Sequence, residues 1–307
     1  MRPETPNLAI LLGPTAVGKS RAAVGLAREF DGEIINGDSI QVYKGFDIGA
    51  AKPSAEDRRA VPHHLFDIAE PDVQFTAADF VREALAAAAG IVERGRLPLV
   101  VGGTGLYLKA LVDGLFPGPG RDPALRAELE AEARDRGLET LFRRLEKVDP
   151  AYACKIRCRD RIRIIRALEV WSLTGRPLSE HFGRTVSPTA GYRVLKLGLE
   201  LERAALYRRI DERVERMFDR GLVEEVRELL ARGVHEDAPP FRALGYRHAL
   251  ACLRGDLTAE EARALTKTDT RRYAKRQMTW FRKMDGVAWF SAESTTALEQ
   301  TLGKLLK

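Results

Sequence analysis

Gly13-Pro14-Thr15-Ala16-Val17-Gly18-Lys19-Ser20 matches the spacing G-x-x-x-x-G-K-[ST], a loop whose chemistry is the binding of a chain of phosphates. Gly13 and Gly18 let the backbone bend until its N–H groups converge on phosphate oxygens. Lys19 adds a full positive charge, and Ser20 offers a hydroxyl suited to Mg²⁺. The alternative is an ordinary glycine turn, but the motif requires a strand before it and a helix after it, and both are present. Leu8–Leu12 is an apolar strand, while Ala22, Ala23, Leu26, Ala27 and Phe30 recur at helical spacing.

Two further strand ends bring polar residues to the same edge. Gly32 to Tyr43 reads as a short strand that runs into Asp38, Ser39 and Gln41, and strand C-termini in an open α/β sheet face the ligand crevice. Asp38 is therefore a carboxylate beside the phosphates, or the cap of a short helix starting near Ser39, or both. Leu97–Val101 is a third apolar strand, followed by Gly102-Gly103-Thr104-Gly105 and a helix from about Leu106 to Val112. Thr104 either caps that helix or lines the site with its hydroxyl. A nucleotide hydrolase commonly holds its metal with an acid at such a strand end; Gly-Gly-Thr stands there instead, which argues against ATP or GTP hydrolysis.

The remaining elements frame these three turns. Residues 44–75 are rich in Gly, Pro and Asp and read as irregular. Within them His63 and His64 are adjacent, so they cannot share a helix face as a metal pair would, and packing or capping is the better account. Thr76 and Asp79 form a capping box, with Phe75 and Phe80 as a hydrophobic staple, opening a helix that Gly95 ends. The stretch Gly114–Arg121 breaks the α/β rhythm. Asp122-Pro123 then begins a series of helices reaching about Gly175. Residues 192–201 alternate as a strand that rejoins the sheet. Helices follow over 203–220 and 222–232, then a last strand at 287–290 and a closing helix at 292–307. The expected fold class is α/β: a P-loop NTPase-like core with a parallel sheet flanked by helices, plus a helical insertion domain. The core spans 1–118 and 191–307, and the insertion 119–190.

At 307 residues the chain has ample length for such a core, and no apolar run approaches the ~20 residues that would span a bilayer. The first residues lack the apolar region of a signal peptide, so a cytoplasmic protein is expected. Three cysteines make disulfides an unlikely framework, and Cys154 with Cys158 has no neighbouring Cys or His to complete a zinc site. Net charge is +6. That value alone says little about partners, but the charge is clustered. Residues 154–166 hold six cations and one acid, Asp160. They form either a solvated helix face with Ile162, Ile165 and Leu168 inward, or a surface for an anionic partner. Residues 267–283 hold seven cations and one acid, interleaved with Tyr273, Trp280 and Phe281. That mixture suits a phosphate backbone and unstacked bases, although the aromatics also recur at helical spacing and could be core.

Several blocks together resemble the bacterial tRNA dimethylallyltransferase (tRNA isopentenyltransferase) family. These are residues 13–20, Asp38-Ser39 with Gln41-Val42-Tyr43, Asp47-Ile48-Gly49 with Ala51-Lys52-Pro53, and Gly102-Gly103-Thr104-Gly105-Leu106-Tyr107. They continue with Arg166-Ala167-Leu168-Glu169-Val170, Gly245-Tyr246-Arg247, and Lys275-Arg276-Gln277 with Thr279-Trp280. The resemblance implies transfer of a dimethylallyl group from dimethylallyl diphosphate to N6 of adenosine 37 of tRNA, with Mg²⁺. Residues 13–20 would hold the donor, Ser20 the metal, and Arg213 would reach the same diphosphate. Asp38 would be the catalytic base, with Thr104 as a partner orienting that base or the diphosphate. Asp38, Ser39, Ile40, Gln41 and Thr104 would take the flipped adenine. Arg126, Ile162, Arg163, Arg166, Arg247, Lys275, Arg276, Gln277, Trp280 and Arg282 would hold the anticodon stem-loop. Eukaryotic members carry a C-terminal zinc finger, and this sequence offers no ligands for one, so no zinc is expected; a monomer is. Position 20 is Ser where many relatives have Thr, which keeps the hydroxyl. Two rival functions are a small-molecule kinase and a non-catalytic RNA-binding NTPase switch.

Overall fold

The computed structural model describes residues 5–306; the readings that touch Met1–Glu4 and Lys307 lie outside them. Two compact units emerge. One comprises the described residues up to Val112 together with Pro188 onward, and the other is Asp113–Ser187. The chain runs β1 (Asn7–Leu12), α1 (Lys19–Glu29), β2 (Gly32–Asn36), α2 (Ala55–Ala60), β3 (His63–His64), α3 (Ala77–Glu93), β4 (Leu97–Gly102) and α4 (Gly105–Asp113). The smaller unit holds α5 (Pro123–Asp135), α6 (Leu138–Val148), α7 (Pro150–Ala153), α8 (Arg161–Thr174) and α9 (Leu178–His181). The larger unit resumes with β5 (Arg193–Glu200), α10 (Arg203–Asp219), α11 (Leu222–Ala231) and α12 (Leu244–Leu253). It ends with α13 (Ala259–Phe281), β6 (Val287–Ser291) and α14 (Thr295–Leu306).

The sheet is parallel throughout, in the order β3-β2-β4-β1-β5-β6. β1 lies at its centre, and its apolar run serves two cores at once: Ala9 and Leu11 face one, Leu8, Ile10 and Leu12 the other. A strand buried on both faces reads as continuous hydrophobicity for this reason. The turns after β1 and β4 stand side by side because those strands pair directly. Thr76 and Asp79 make the expected capping box. Phe75 and Phe80 meet on a third ring, Tyr107, with centroids 6.4 and 4.6 Å away.

Three local expectations need correction. The stretch 44–75 is not wholly irregular: α2 is capped by Ser54 with Asp57, and His63–His64 pair with Ile34 and Ile35 as the edge strand. His64 Nε2 lies 2.6 Å from a Glu33 carboxylate oxygen, so this histidine hydrogen-bonds a buried carboxylate in place of the expected packing or capping. No helix begins near Ser39; residues 39–42 form turns, and Asp38 Oδ1 accepts the Ile40 N–H at 2.9 Å. Finally, residues 154–166 are not one helix. Asp160, the single acid of that run, caps α8 by accepting the Arg163 N–H, so Lys155, Arg157 and Arg159 precede the helix. Ile165 and Leu168 do pack inward, but Ile162 is 78% exposed.

In the smaller unit a buried carboxylate does the organising. Glu169 accepts from Arg126 Nε at 2.8 Å, from Arg126 Nη2 and the Asp122 N–H at 2.9 Å, and from Arg166 Nη1 at 2.6 Å. Burial alone would raise its pKa, but the two arginines and the amide outweigh burial and pull it down to about 2. A carboxyl depressed in the folded state stabilises fully above its unfolded pKa, near 4.5, and loses that contribution as pH falls through about 2. Glu169→Gln is therefore expected to destabilise this unit by about 3 kcal/mol at neutral pH, with the deficit vanishing below pH ~2. Chemical denaturation of both proteins as a function of pH measures this; a deficit independent of pH would contradict it.

Candidate active site

The loop after β1 takes positive φ three times on its way to α1, at Gly13, Ala16 (φ 63°) and Gly18 (φ 108°). Gly13 has φ 148°, and a Cβ there would stand 2.5 Å from the Leu199 carbonyl oxygen, so only glycine fits. Gly18 occupies the N-cap of α1 without any side-chain cap. The first amides of α1 therefore point at whatever lies in front of them, and a helix start of this kind favours an anion. Lys19 Nζ donates to the Gly13 and Pro14 carbonyls, both at 2.8 Å. Burial lowers its pKa to about 7, with the Arg213 charge pushing the same way and Asp38 opposing.

A cavity of about 870 Å³ opens over this loop. Thr15, Ala16, Gly18, Lys19 and Ser20 form its floor, Asp38 and Gln41 one wall, and Arg213, Tyr273 and Gln277 another. Burial lowers the Arg213 pKa, while the Asp38 charge raises it. Burial and the same carboxylate push the Tyr273 hydroxyl up to about 12, so it stays protonated. Asp38 thus faces Lys19, Arg213 and the Tyr273 phenol in a concave site that Glu212 and Glu293 also line, a setting that can bind a diphosphate and take up a proton.

Asp38 is held from behind by Asn36, which is 1% exposed. Asn36 Oδ1 accepts the Asp38 N–H at 2.9 Å, and its Nδ2 donates to the Asp38 carbonyl at 3.2 Å and the Leu65 carbonyl at 3.0 Å. Thr104 Oγ1 accepts the Ser39 N–H at 3.1 Å and lies 3.3 Å from Ser39 Oγ. Its hydroxyl therefore braces the 38–41 turn from beside the cavity wall. Gln41 donates through Nε2 to the Ala50 and Ala51 carbonyls. The end of β4 has no room for a metal-holding acid, because a Cβ at Gly102 would come within 2.3 Å of the Gly37 oxygen. Among the described residues no group of three or more His, Cys, Asp or Glu could hold a metal, and no helix is long and apolar enough to cross a membrane.

The model of the IPP transferase family matches residues 41–284, and that of isopentenyl transferases matches residues 6–64. The chain belongs to the IPP transferase family. It is 51% identical over 299 residues to the tRNA dimethylallyltransferase of Geobacter sulfurreducens, covering 95% of this chain and 96% of the relative. The full-length tRNA isopentenylpyrophosphate transferase of Bacillus halodurans shares its fold at TM-score 0.72 and 41% identity, over 98% of this chain and 96% of that one. A eukaryotic dimethylallyltransferase acting on tRNA superposes at TM-score 0.81 with 29% identity, covering 96% of this chain and 77% of that one.

For this family member, the structure gathers Thr15, Ala16, Gly18, Lys19, Ser20, Asp38, Gln41 and Arg213 around one cavity; Gly13, Pro14 and Val17 shape the loop without lining it, and Thr104 holds the Ser39 N–H beside the Asp38 wall. It gives others different surroundings. Arg126 and Arg166 are engaged by Glu169, and Arg247 pairs with Asp269. Gln277 is buried, and Trp280 packs on Gly105. The Thr15 N–H, expected on the phosphates, is taken by Gln277 Oε1 at 2.8 Å, and the Val17 N–H lies 3.4 Å from the Pro14 oxygen. The amides left for an anion are those from Gly18 onward and of Ala16. Sequence reasoning misses Asn36 and reads Tyr273 as a base-stacking or core aromatic, whereas it lines the cavity. It also misses Arg209, whose Nη1 donates to the Val17 carbonyl at 3.1 Å. Spacing alone could have flagged Arg209, one helical turn before Arg213.

Proposed function

We propose that this IPP transferase family member transfers a dimethylallyl group from dimethylallyl diphosphate to N6 of adenosine 37 in tRNA, releasing diphosphate. The observation that carries this is the convergence of a phosphate-gripping loop and one backbone-clamped carboxylate, Asp38, on a single cavity. It agrees with relatives and solved structures named as tRNA dimethylallyl- or isopentenylpyrophosphate transferases. The kinase alternative is weakened by the glycine that steric contact imposes at the end of β4.

In this mechanism the amides at the head of α1, Lys19 and Arg213 hold the diphosphate of the donor. They stabilise the negative charge that builds on its bridging oxygen as the allylic C–O bond breaks. The adenine amine attacks the allylic carbon, and Asp38 accepts the proton that the amine must lose. Thr104 keeps the 38–41 turn in place, and a base displaced from the anticodon loop would enter against Gln41. The donor set fits Mg²⁺ carried by the substrate: Ser20 offers one exposed hydroxyl at the head of α1, and such an ion takes most of its ligands from phosphates and water. When bound there, Mg²⁺ supplies further charge neutralisation of the leaving diphosphate.

For the tRNA, Lys275, Arg276 and Arg282 are exposed on and just after α13, and Ile162 and Arg163 are exposed at the start of α8. Arg126 and Arg166 would contribute from their braced positions, and Arg247, Ser39, Ile40 and Trp280 around the base. The protein acts in the cytoplasm, as a monomer, without zinc. Replacing Arg276 and Arg282 together by Ala is expected to weaken stem-loop binding and to lower the slope of log K against log salt by about one per cation removed. An unaltered slope in a fluorescence titration would assign both residues to packing.

The test of the function is incubation with labelled dimethylallyl diphosphate and unmodified tRNA. Label in the tRNA with release of one diphosphate per transfer is the expected result. An unlabelled tRNA with ATP consumed instead would favour the kinase.

A further inference from the structure

α13 turns one side chain toward the diphosphate loop with both ends of its amide already engaged. Gln277 is 6% exposed. Its Oε1 accepts the Thr15 N–H at 2.8 Å, and its Nε2 donates to the Gly103 carbonyl at 2.7 Å. A peptide N–H can only donate and a carbonyl can only accept, so these partners fix which way the amide faces. The seat is shaped for it. A Cβ on Gly103 would stand 2.6 Å from Gln277 Nε2, and one on Gly105 would stand 2.5 Å from the Trp280 ring. Gly103 and Gly105, just after β4, thus make room for two side chains about one helical turn apart on α13.

The bond to Thr15 matters most for chemistry. Loop 13–18 has few restraints on the direction of its amides, and two of them come from distant helices: Arg209 on the Val17 carbonyl and Gln277 on the Thr15 N–H. Both bear on the short stretch that contains the left-handed Ala16. Lys275 and Arg276, beside Gln277 in sequence, face solvent. We propose that Gln277 is a positioning residue for prenyl transfer: it holds loop 13–20 in the shape that grips the diphosphate and makes no contact with the tRNA. This rests on the reading of that loop as the diphosphate grip.

Gln277→Met keeps the length and bulk of the side chain and removes the hydrogen bonds to Thr15 and Gly103, together with that to the Tyr273 side chain. The full chain is titrated with inorganic pyrophosphate and, separately, with an unmodified anticodon stem-loop, and kcat and KM are measured with dimethylallyl diphosphate. The pyrophosphate Kd and donor KM are expected to rise about tenfold, the size of one or two lost buried hydrogen bonds, with the stem-loop Kd held within about twofold. Gly103→Ala, whose Cβ displaces the Gln277 amide, is expected to reproduce the pattern and replaces the Met variant should that one fail to fold. Loss of stem-loop affinity with pyrophosphate binding intact would overturn the proposal, and so would two unchanged affinities. Lys19→Ala in the same titration separates the failures. If it binds pyrophosphate as well as the parent does, the loop's assignment is at fault; if it does not, an unaffected Gln277→Met faults Gln277 alone.

Discussion

Asp38→Ala is expected to bind the anticodon stem-loop with near-parental affinity and to turn over at least ~10²-fold more slowly. An exocyclic adenine amine carries little nucleophilic character until its proton has somewhere to go, and Asp38 is the carboxylate that the Asn36 clamp fixes against the cavity. Its charge also opposes the lowering of the Lys19 pKa, so removing it alters donor binding as well as proton transfer. Asp38→Asn loses the charge and the proton acceptor alike but keeps the shape and the Ile40 N–H bond, so it separates both from a collapse of the 38–41 turn, and saturating donor removes the contribution of donor binding. Both variants should fail in single-turnover experiments with saturating donor. Near-parental single-turnover rates for Asp38→Asn would remove the residue from that role.

Lys19→Ala is expected to lower kcat/KM for the prenyl donor by roughly 10²–10³-fold, the usual cost of deleting one preorganised group that stabilises a developing anion. The parent protein carries a further signature of this lysine. Burial and Arg213 hold its pKa at about 7, so above neutral pH much of it is uncharged until an anion arrives. Diphosphate binding raises that pKa, and a site whose pKa rises on binding takes up protons. Affinity must then fall as pH increases above 7, by at most tenfold per unit. Calorimetry in buffers of different ionisation enthalpy reads the proton uptake directly, and Lys19→Arg, which stays charged, should abolish it. Pyrophosphate binding without proton uptake at pH 8 would contradict the account.

The catalytic half of the molecule was legible because its signals are local. Gly13 and Gly18 are demanded by the loop itself, Leu8–Leu12 and Leu97–Val100 are buried on both faces and read as unbroken apolar runs, and Asp38 stands two residues past the end of β2. What escaped was either too short or too distant. A two-residue strand such as His63–His64 has no period to detect, and α12 was passed over although Tyr246 within it is fully buried. The cationic run 154–166 reads as a surface for an anionic partner, but nothing local shows that Arg126 and Arg166 also answer a buried carboxylate, 43 and 3 residues away along the chain. Charge counts within a window cannot register such a partner. Gln277 and Thr15 are separated by 262 residues, and only the paired glycines 103 and 105 hinted that another helix docks there.

The decisive measurement is a crystal structure with inorganic pyrophosphate and an anticodon stem-loop bound together. The account predicts the diphosphate on the amides at the head of α1 beside Lys19, with the adenine N6 at hydrogen-bonding distance, ~3 Å, from the Asp38 carboxylate. An adenine lodged away from Asp38, or a diphosphate held outside loop 13–20, would contradict it.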